Sequence, residues 1–343
     1  MDVQVIVCPS GQSACHSTCV DEQIDDNNCG GCGVVCAAPS PSTATCVLGR
    51  CLVTLASGDF ADFAVGATHV YWTTYGENTV MSVPIGGGTP TTLASGQATP
   101  FGIAVDATNV YWTNYDLNGT VMKAPISGGR PTTLASGQVF PARVAVHGAS
   151  VYWATWTNQG KSGTLLKVPV AGGTSTTLAS GQHGPDAINI NATSAYWTTE
   201  DGAAYNVPID GGTPSTVVSA PGIGGRLAVD ATNIYYCTSP ANDWSNGGTV
   251  MKIPIGGGTS NTLASGSPRY MAVDATSVYW SEMDLSGGGS DKVMKVPIAG
   301  GATTVLVSGQ IGSDRIAVDA TSVYWLNYNR PGDPMLLMKV TPK

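Results

Sequence analysis

One short phrase recurs along the chain and constrains its fold more than any other feature. Residues 104–129 read AVDATNVYWTNYDLNGTVMKAPISGG, and closely similar phrases return throughout the sequence. Successive copies lie 39 to 45 residues apart, which is the length of a four-stranded propeller blade. Each copy is centred on two aromatic residues, and there are seven such pairs: Tyr71-Trp72, Tyr111-Trp112, Tyr152-Trp153, Tyr196-Trp197, Tyr235-Tyr236, Tyr279-Trp280 and Tyr324-Trp325.

Each repeat divides into four short runs that are typical of β-strands. In the second repeat these runs are FGIAV, NVYWTN, TVMKAPI and TTLAS, which we name strands a, b, c and d. The turns DAT, between a and b, and SGG, between c and d, contain residues that favour tight hairpins. The chain is therefore predicted to be all-β and built from similar four-stranded sheets.

The two ends of the repeat region predict how the ring closes. Before the first strand a, the run CLVTLASGD supplies a strand d without a blade. After the last strand b, PMLLMKVTPK supplies only a strand c. The numbers of the four strands become equal if residues 52–57 complete the last blade. The prediction is a seven-bladed β-propeller over residues 52–343, closed by its N-terminal strand so that only short edges remain.

Residues 1–51 are predicted to form a separate cysteine-rich module. The module holds eight of the nine cysteines, namely Cys8, Cys15, Cys19, Cys29, Cys32, Cys36, Cys46 and Cys51. A dense and even set is typical of a disulfide-stapled module from an oxidising compartment. Zinc is the alternative, because Cys29 and Cys32 have ligand spacing, but no matching second pair follows. The spacing leaves the disulfide pairing open.

The location of the protein follows from the same cysteines. Disulfides favour a secreted or cell-surface protein. The start MDVQVIV lacks the basic and long apolar regions of a signal peptide, so we expect a leader that has been removed. The ninth cysteine, Cys237, replaces the threonine of the repeat and is predicted to be a buried free thiol.

The repeats and the module each resemble a known family. IAVDATNVYWTNYDLNGTVMKAPISGG resembles the YWTD repeat of low-density-lipoprotein-receptor-type propellers, with Asn114 where that motif ends in Asp. That family has six blades, whereas this chain has seven repeats. The sequence of the repeats is also similar to that of repeats in secreted bacterial proteins. Residues 8–51, with the core NCGGCG from Asn28 to Gly33, resemble the stigma-specific cysteine-rich family.

Composition excludes two classes of partner. The net charge is −8, whereas a nucleic-acid surface needs a basic patch. No run of 18 apolar residues is present, so we expect no membrane insertion.

The loops predict which face of the propeller binds a ligand. The a–b and c–d turns have nearly the same sequence in every repeat, whereas the b–c and d–a loops on the opposite face differ in length and chemistry. We call this opposite face the variable face, and rigid scaffolds usually carry recognition on such loops. The alternative is that these loops bind nothing and differ because their sequences are only weakly constrained. The candidate ligand-binding residues are Tyr75, Glu77, Tyr115, Asp116, Trp156, Lys161, Glu200, Asp201, Asp243, Trp244, Asp284, Tyr328 and Arg330.

A second candidate set lies where each strand a begins, near the mouth of the central channel. Its polar members are Asp62, Arg143, Arg226, Tyr270 and Arg315. Converging arginines suit an anionic group such as a carboxylate. Alternatively, these charges neutralise one another or the neighbouring Asp186 and Asp314.

The preferred functional hypothesis is a binding module for a glycan or an extracellular protein. Aromatic rings set among carboxylates and amides suit either ligand. A structural subunit that self-associates is the runner-up. Catalysis is disfavoured, because no Ser-His-Asp signature or histidine cluster is present, although Asp62, Glu200 or Asp314 leaves room for a lactonase- or lyase-type enzyme. No cofactor is expected; the acidic loops leave calcium as an alternative, without an EF-hand pattern.

Overall fold

Four strands build each repeat, as the hairpin turns predict. The computed structural model describes residues 8–15, 18–156, 162–219, 223, 227–239, 247–285, 289–328 and 333–343. The cysteine-rich module supplies β1 (Ser13–Cys15), β2 (Thr18–Val20), β3 (Thr43–Val47) and the start of β4 (Arg50–Gly58). Blades 1 to 4 contain β5 (Asp62–Val65), β6 (His69–Thr73), β7 (Val80–Pro84) and β8 (Thr91–Ala94); β9 (Pro100–Val105), β10 (Asn109–Asn114), β11 (Gly119–Pro125) and β12 (Thr132–Gln138); β13 (Pro141–His147), β14 (Ser150–Thr155), β15 (Gly163–Pro169) and β16 (Thr176–Gln182); and β17 (Asp186–Ile190), β18 (Ser194–Thr198), β19 (Ala203–Pro208) and β20 (Ser215–Ser219).

The last three blades complete a ring. They contain β21 (Leu227–Val229), β22 (Asn233–Thr238), β23 (Gly248–Pro254) and β24 (Asn261–Gly266); β25 (Pro268–Val273), β26 (Ser277–Glu282), β27 (Asp291–Pro297) and β28 (Thr304–Gln310); and β29 (Ser313–Val318), β30 (Val323–Asn327) and β31 (Met335–Thr341). Neighbouring strands within each blade are antiparallel. The innermost strand of each blade contacts that of the next, and β29 contacts β5. Among the described residues, no helix is long and apolar enough to cross a membrane.

The N-terminal strand closes the propeller. Strand β4 pairs antiparallel with β31, from Met335↔Gly58 to Thr341↔Cys51, and so supplies the fourth strand of blade 7. The predicted seven-bladed propeller and its closure are confirmed. The predicted boundary between residues 51 and 52 lies inside β4, and β3 adds a fifth strand to the same sheet.

The recurring aromatic pairs join neighbouring blades. In each buried cluster, the tyrosine of one blade packs with the second aromatic residue of the next, as Tyr71 does with Trp112. The last cluster contains Tyr324 of blade 7 and Trp72 of blade 1. The other five pairs are Tyr111 with Trp153, Tyr152 with Trp197, Tyr196 with Tyr236, Tyr235 with Trp280 and Tyr279 with Trp325. Blade-to-blade packing therefore accounts for the motif, and each buried aromatic side chain contributes roughly 3–5 kcal/mol relative to Ala.

The aspartate that begins most a–b turns is a structural cap. Asp106 Oδ1 accepts hydrogen bonds from the amides of Thr108 and Asn109, both at 2.7 Å. Its Oδ2 accepts a third from the hydroxyl of Tyr111 at 2.6 Å. Asp230, Asp274 and Asp319 make the equivalent tyrosine bonds. The motif DAT-x-x-Y therefore encodes a turn that also anchors the buried tyrosine.

All eight cysteines of the module are paired in the structure. The disulfides join Cys8 to Cys19, Cys15 to Cys32, Cys29 to Cys46 and Cys36 to Cys51. Cys237 is buried and lies outside these disulfides. The prediction of a disulfide-stapled module is confirmed.

Candidate functional site

Irregular strand pairing at the start of several strands a directs the side chains there into the central channel. Strands β13, β17, β25 and β29 each start with a shift of register against the neighbouring strand b. Such bulges bend a strand and re-aim its side chains. Arg143, Ala187, Tyr270 and Arg315 lie at these shifts, and Ala187 and Arg315 have positive φ angles of 46° and 34°. Backbone strain of this kind often clusters at functional sites.

The strand starts build a cluster of opposite charges. The Nε atom of Arg143 donates to Asp186 Oδ1 at 2.5 Å, and its Nη1 lies 3.6 Å from Asp62 Oδ2. Nη1 of Arg315 lies 3.3 Å from the other oxygen of Asp62. We name Asp62, Arg143, Asp186, Tyr270 and Arg315 the central cluster. These ion pairs agree with the alternative that the arginines are neutralised by carboxylates.

Burial and charge act against each other in this cluster. Burial raises the pKa of the Asp186 carboxyl, but the charge and hydrogen bond of Arg143 outweigh burial and hold the pKa below its usual value. For Tyr270, burial raises the pKa of the hydroxyl and the nearby Asp314 carboxylate raises it further. Tyr328 behaves in the same way beside Asp314. At neutral pH these tyrosines are protonated donors, while Asp186 is charged.

The central cluster lines a cavity at the channel mouth. The cavity has a volume of about 180 Å³, and strand starts from several blades form its wall. Pockets that enclose a drug-sized ligand are larger, about 300–1,000 Å³. This cavity therefore has room for one small chemical group or for one end of a ring-shaped ligand.

Aromatic side chains form a continuous surface beside the cavity. The ring of Phe101 lies 5.7 Å from that of Tyr75 and 5.3 Å from that of Tyr115, measured between centroids. The Tyr115 ring lies 5.2 Å from Phe140 and 6.1 Å from Trp156. We name these five residues the aromatic cluster. They belong to blades 1 to 3 and to the loops between them.

Arg143 links the aromatic cluster to the central cluster. Its guanidinium carbon lies 5.0 Å from the centroid of the Phe101 ring, within the range of a cation–π contact. Burial raises the pKa of the Tyr75 hydroxyl, and the charges of Arg315 and Arg143 partly oppose that rise. Trp156 is oriented by a hydrogen bond from Nε1 to the carbonyl of Pro185 at 2.7 Å. Charged and aromatic groups thus form one contiguous site.

The predicted acidic residues do not all join this site. Glu77 and Glu200 are exposed, and Glu200 does not line the cavity. Asp116 and Asp201 accept local hydrogen bonds, from the amide of Asn118 and the hydroxyl of Thr199. Asp284 accepts from the amide of Ser290. These three aspartates shape their own loops.

Five predicted residues lie outside the described residues: Lys161, Arg226, Asp243, Trp244 and Arg330. The sequence interpretation also missed Phe101 and Phe140. Both lie at or beside the start of a strand a, next to the channel-mouth positions. The sequence signal that could have identified these two residues is the segment Pro-Phe-Gly at residues 100–102 and Phe-Pro-Ala at residues 140–142.

Clusters of potential metal ligands within the described residues are made largely of cysteines. One set is Cys29, Cys36 and Cys51, and the other is Cys15, Cys32 and Glu22. All of these cysteines are in disulfides. Calcium binding by the acidic loops stays an alternative to the expectation of no cofactor.

Sequence comparison identifies no relative. No family model matches the chain, and no curated protein matches its sequence. Solved structures match its fold in large number, 835 chains in all. An oligogalacturonate lyase in complex with manganese is 10% identical to this chain. The match covers 90% of this chain and 95% of the lyase chain, with a TM-score of 0.62. The WD40 β-propeller domain of Doa1 is 12% identical, covers 85% and 97%, and has a TM-score of 0.59.

The likenesses to the lyase and to the WD40 domain show the propeller fold alone. A nidogen/laminin complex structure is 17% identical, covers 68% of this chain and 90% of that chain, and has a TM-score of 0.49. All three identities are too low to transfer an activity. Since a lyase and a WD40 domain share this fold, function has to be argued from the site.

Proposed function

We propose that the protein is a secreted or cell-surface binding protein that recognises a glycan or protein ligand with its variable face. The observation that carries this proposal is the distribution of exposed, large hydrophobic side chains. Within the described propeller residues, all of them lie on the variable face: Tyr75, Leu117, Val139, Leu285, Ile311 and Tyr328. Exposed apolar groups concentrated on one face are typical of an interaction site.

The aromatic cluster supports the same proposal. Its rings offer rigid apolar area together with polar hydroxyl and indole groups, a combination enriched in binding hot spots. The disulfides of the cysteine-rich module fit an extracellular location.

The experiment uses the full chain, labelled and screened against a glycan array and an array of extracellular proteins, in calcium and in EDTA. The test variants are Tyr75→Ser and Leu117→Ser. The matched control is Val35→Ser, because Val35 is 60% exposed on the cysteine-rich module. We expect a ligand whose binding weakens at least tenfold in the test variants and is unchanged in the control. Blank arrays, or binding that both test variants retain in full, would contradict the proposal.

A structural subunit of an extracellular assembly is the second candidate. It is favoured by exposed apolar residues on the cysteine-rich module: Ile24, Val34, Val35 and Leu48. Light scattering of the full chain and of Ile24→Ser with Val35→Ser tests it. Self-association that the double variant abolishes would support this second role, whereas a monomer at every concentration would contradict it.

A further inference from the structure

The central cluster contains buried donors that lack a hydrogen bond. Nη1 of Arg143 lies 3.6 Å from Asp62, too far for a hydrogen bond, and Nε of Arg315 also makes none. Buried donors of this kind are uncommon, because a donor that has lost its water and gained no partner destabilises the folded state. Both arginines line the central cavity together with Asp62 and Tyr270. A ligand oxygen in the cavity would satisfy them.

We propose that the central cavity binds a neutral, polyhydroxylated group, the end of a sugar ring, while the remainder of the glycan lies on the aromatic cluster. This inference rests on the proposed function and selects one of its two ligand classes.

Among the described residues of the channel mouth, charge balance argues for a neutral ligand. Arg143 and Arg315 are matched by Asp62 and Asp186, with which they form the three ion pairs of the cluster. Asp314 adds a further acidic residue beside Tyr270. An incoming carboxylate would meet Asp62 at close range, where repulsion between like charges offsets its attraction to the arginines. The chain as a whole also carries a net charge of −8.

Hydroxyl groups match the mixed character of the cavity. A hydroxyl accepts one hydrogen bond from a guanidinium and donates another to a carboxylate. The central cluster presents both kinds of partner from rigid strand starts. A ligand that only accepts, such as a carboxylate, would leave the free acceptor positions of the aspartates unused.

The aromatic cluster supplies a surface for the apolar face of the sugar. Phe101 and Tyr75 lie beside Arg143 and Arg315, so a ring that enters the cavity meets an aromatic wall at once. The apolar face of a sugar packs against such rings, while its hydroxyl groups point away from them. At about 180 Å³ the cavity has room for one ring end, and the open variable face takes the rest.

The test compares two probe series by saturation-transfer NMR and calorimetry: methyl glycosides of neutral hexoses and those of the corresponding hexuronic acids. We expect at least one neutral glycoside to bind the full chain and its uronic acid to bind at least tenfold more weakly. Arg315→Gln is expected to weaken the neutral glycoside at least tenfold. The matched control is Arg130→Gln, since Arg130 is exposed on a c–d turn of the opposite face.

A second variant keeps the test decisive if Arg315→Gln does not fold. Tyr270→Phe removes one hydroxyl of the cavity without changing its charge, and it should weaken neutral glycosides at least threefold. Preference for uronic acids, or neutral binding that neither variant alters, would overturn this inference. A protein ligand that depends on Tyr75 and Leu117 would overturn it while leaving the proposed function intact.

Discussion

The backbone amide of Gly88 in blade 1 donates a hydrogen bond to the hydroxyl of Ser42 in the cysteine-rich module, at 3.0 Å. The same hydroxyl donates to the carbonyl of Leu55 on the closing strand, at 3.1 Å. Ser42 is buried, and a Cβ on the adjacent Gly87 would lie only 2.9 Å from it. The module therefore ties the closing strand of blade 7 to the first blade.

Ser42→Ala should destabilise the propeller. The substitution removes the acceptor of a buried amide, and an unsatisfied buried group costs about 1–3 kcal/mol. Guanidinium unfolding of the full chain measures the change in the free energy of unfolding. Ser10→Ala, at an exposed position of the module, is the control. Equal stability of the two variants would show that Ser42 does not link module and blade.

The a–b turns should make stability depend on pH. Burial raises the pKa of Asp106, Asp230 and Asp319, but hydrogen bonds from the tyrosine hydroxyls and turn amides outweigh it, so each pKa lies below its usual value. A lowered pKa in the folded state contributes stability above the unfolded value of about 3.9. That contribution is lost as the pH falls through the folded pKa. Thermal unfolding between pH 6 and 2 should therefore show a steep acid loss.

Blade 4 supplies a natural comparison for these turns. Asn191 occupies the equivalent position and accepts from the amides of Thr193 and Ser194 at 3.0 and 2.9 Å. Asp230→Asn should flatten the dependence of stability on pH, and Asn191→Asp should steepen it. Parallel pH profiles for wild type and both variants would exclude the turns as its origin.

The recurring glutamine at or just after the end of strand d should stabilise the blades. The indole Nε1 of Trp112 donates to Gln97 Oε1 at 3.0 Å, and Trp153 and Trp197 make the same bond to Gln138 and Gln182. Gln97→Ala leaves the indole unpaired and should cost about 1–3 kcal/mol in unfolding free energy. Gln97→Glu keeps an acceptor, as Glu282 does for Trp280 in blade 6, and should be much less harmful. Equal losses would refute the hydrogen-bond explanation.

Ala187→Gly should raise stability. Ala187 has a φ angle of 46°, a region that costs a non-glycine residue roughly 1–3 kcal/mol. Glycine relieves this strain, so we expect a gain of about 1 kcal/mol after the loss of one half-buried methyl group. Ala195→Gly, in the regular strand β18, should instead lower stability. A loss at both positions would show that the bulge at residue 187 is unstrained.

The sequence by itself determined the blade number, the strand order and the closure of the ring. These properties follow from a local pattern that repeats seven times, with hairpin turns encoded by neighbouring residues such as Asp106 and Tyr111. The unmatched strands at the two ends left one way to complete the last blade. The disulfide class of the module followed from its cysteine density, whereas the pairing did not.

Only the tertiary structure decided which side chains meet at the site. Phe101 and Trp156 are 55 positions apart in the sequence, yet their ring centroids lie 6.5 Å apart, because blades 2 and 3 converge on the same channel mouth. Arg143 and Asp62 form an ion pair across the ring for the same reason. Bulges set the direction of Arg143 and Arg315, and a bulge depends on the pairing between strands. Local patterns determine the blades, whereas contacts between blades, set by ring closure and strand register, determine the site.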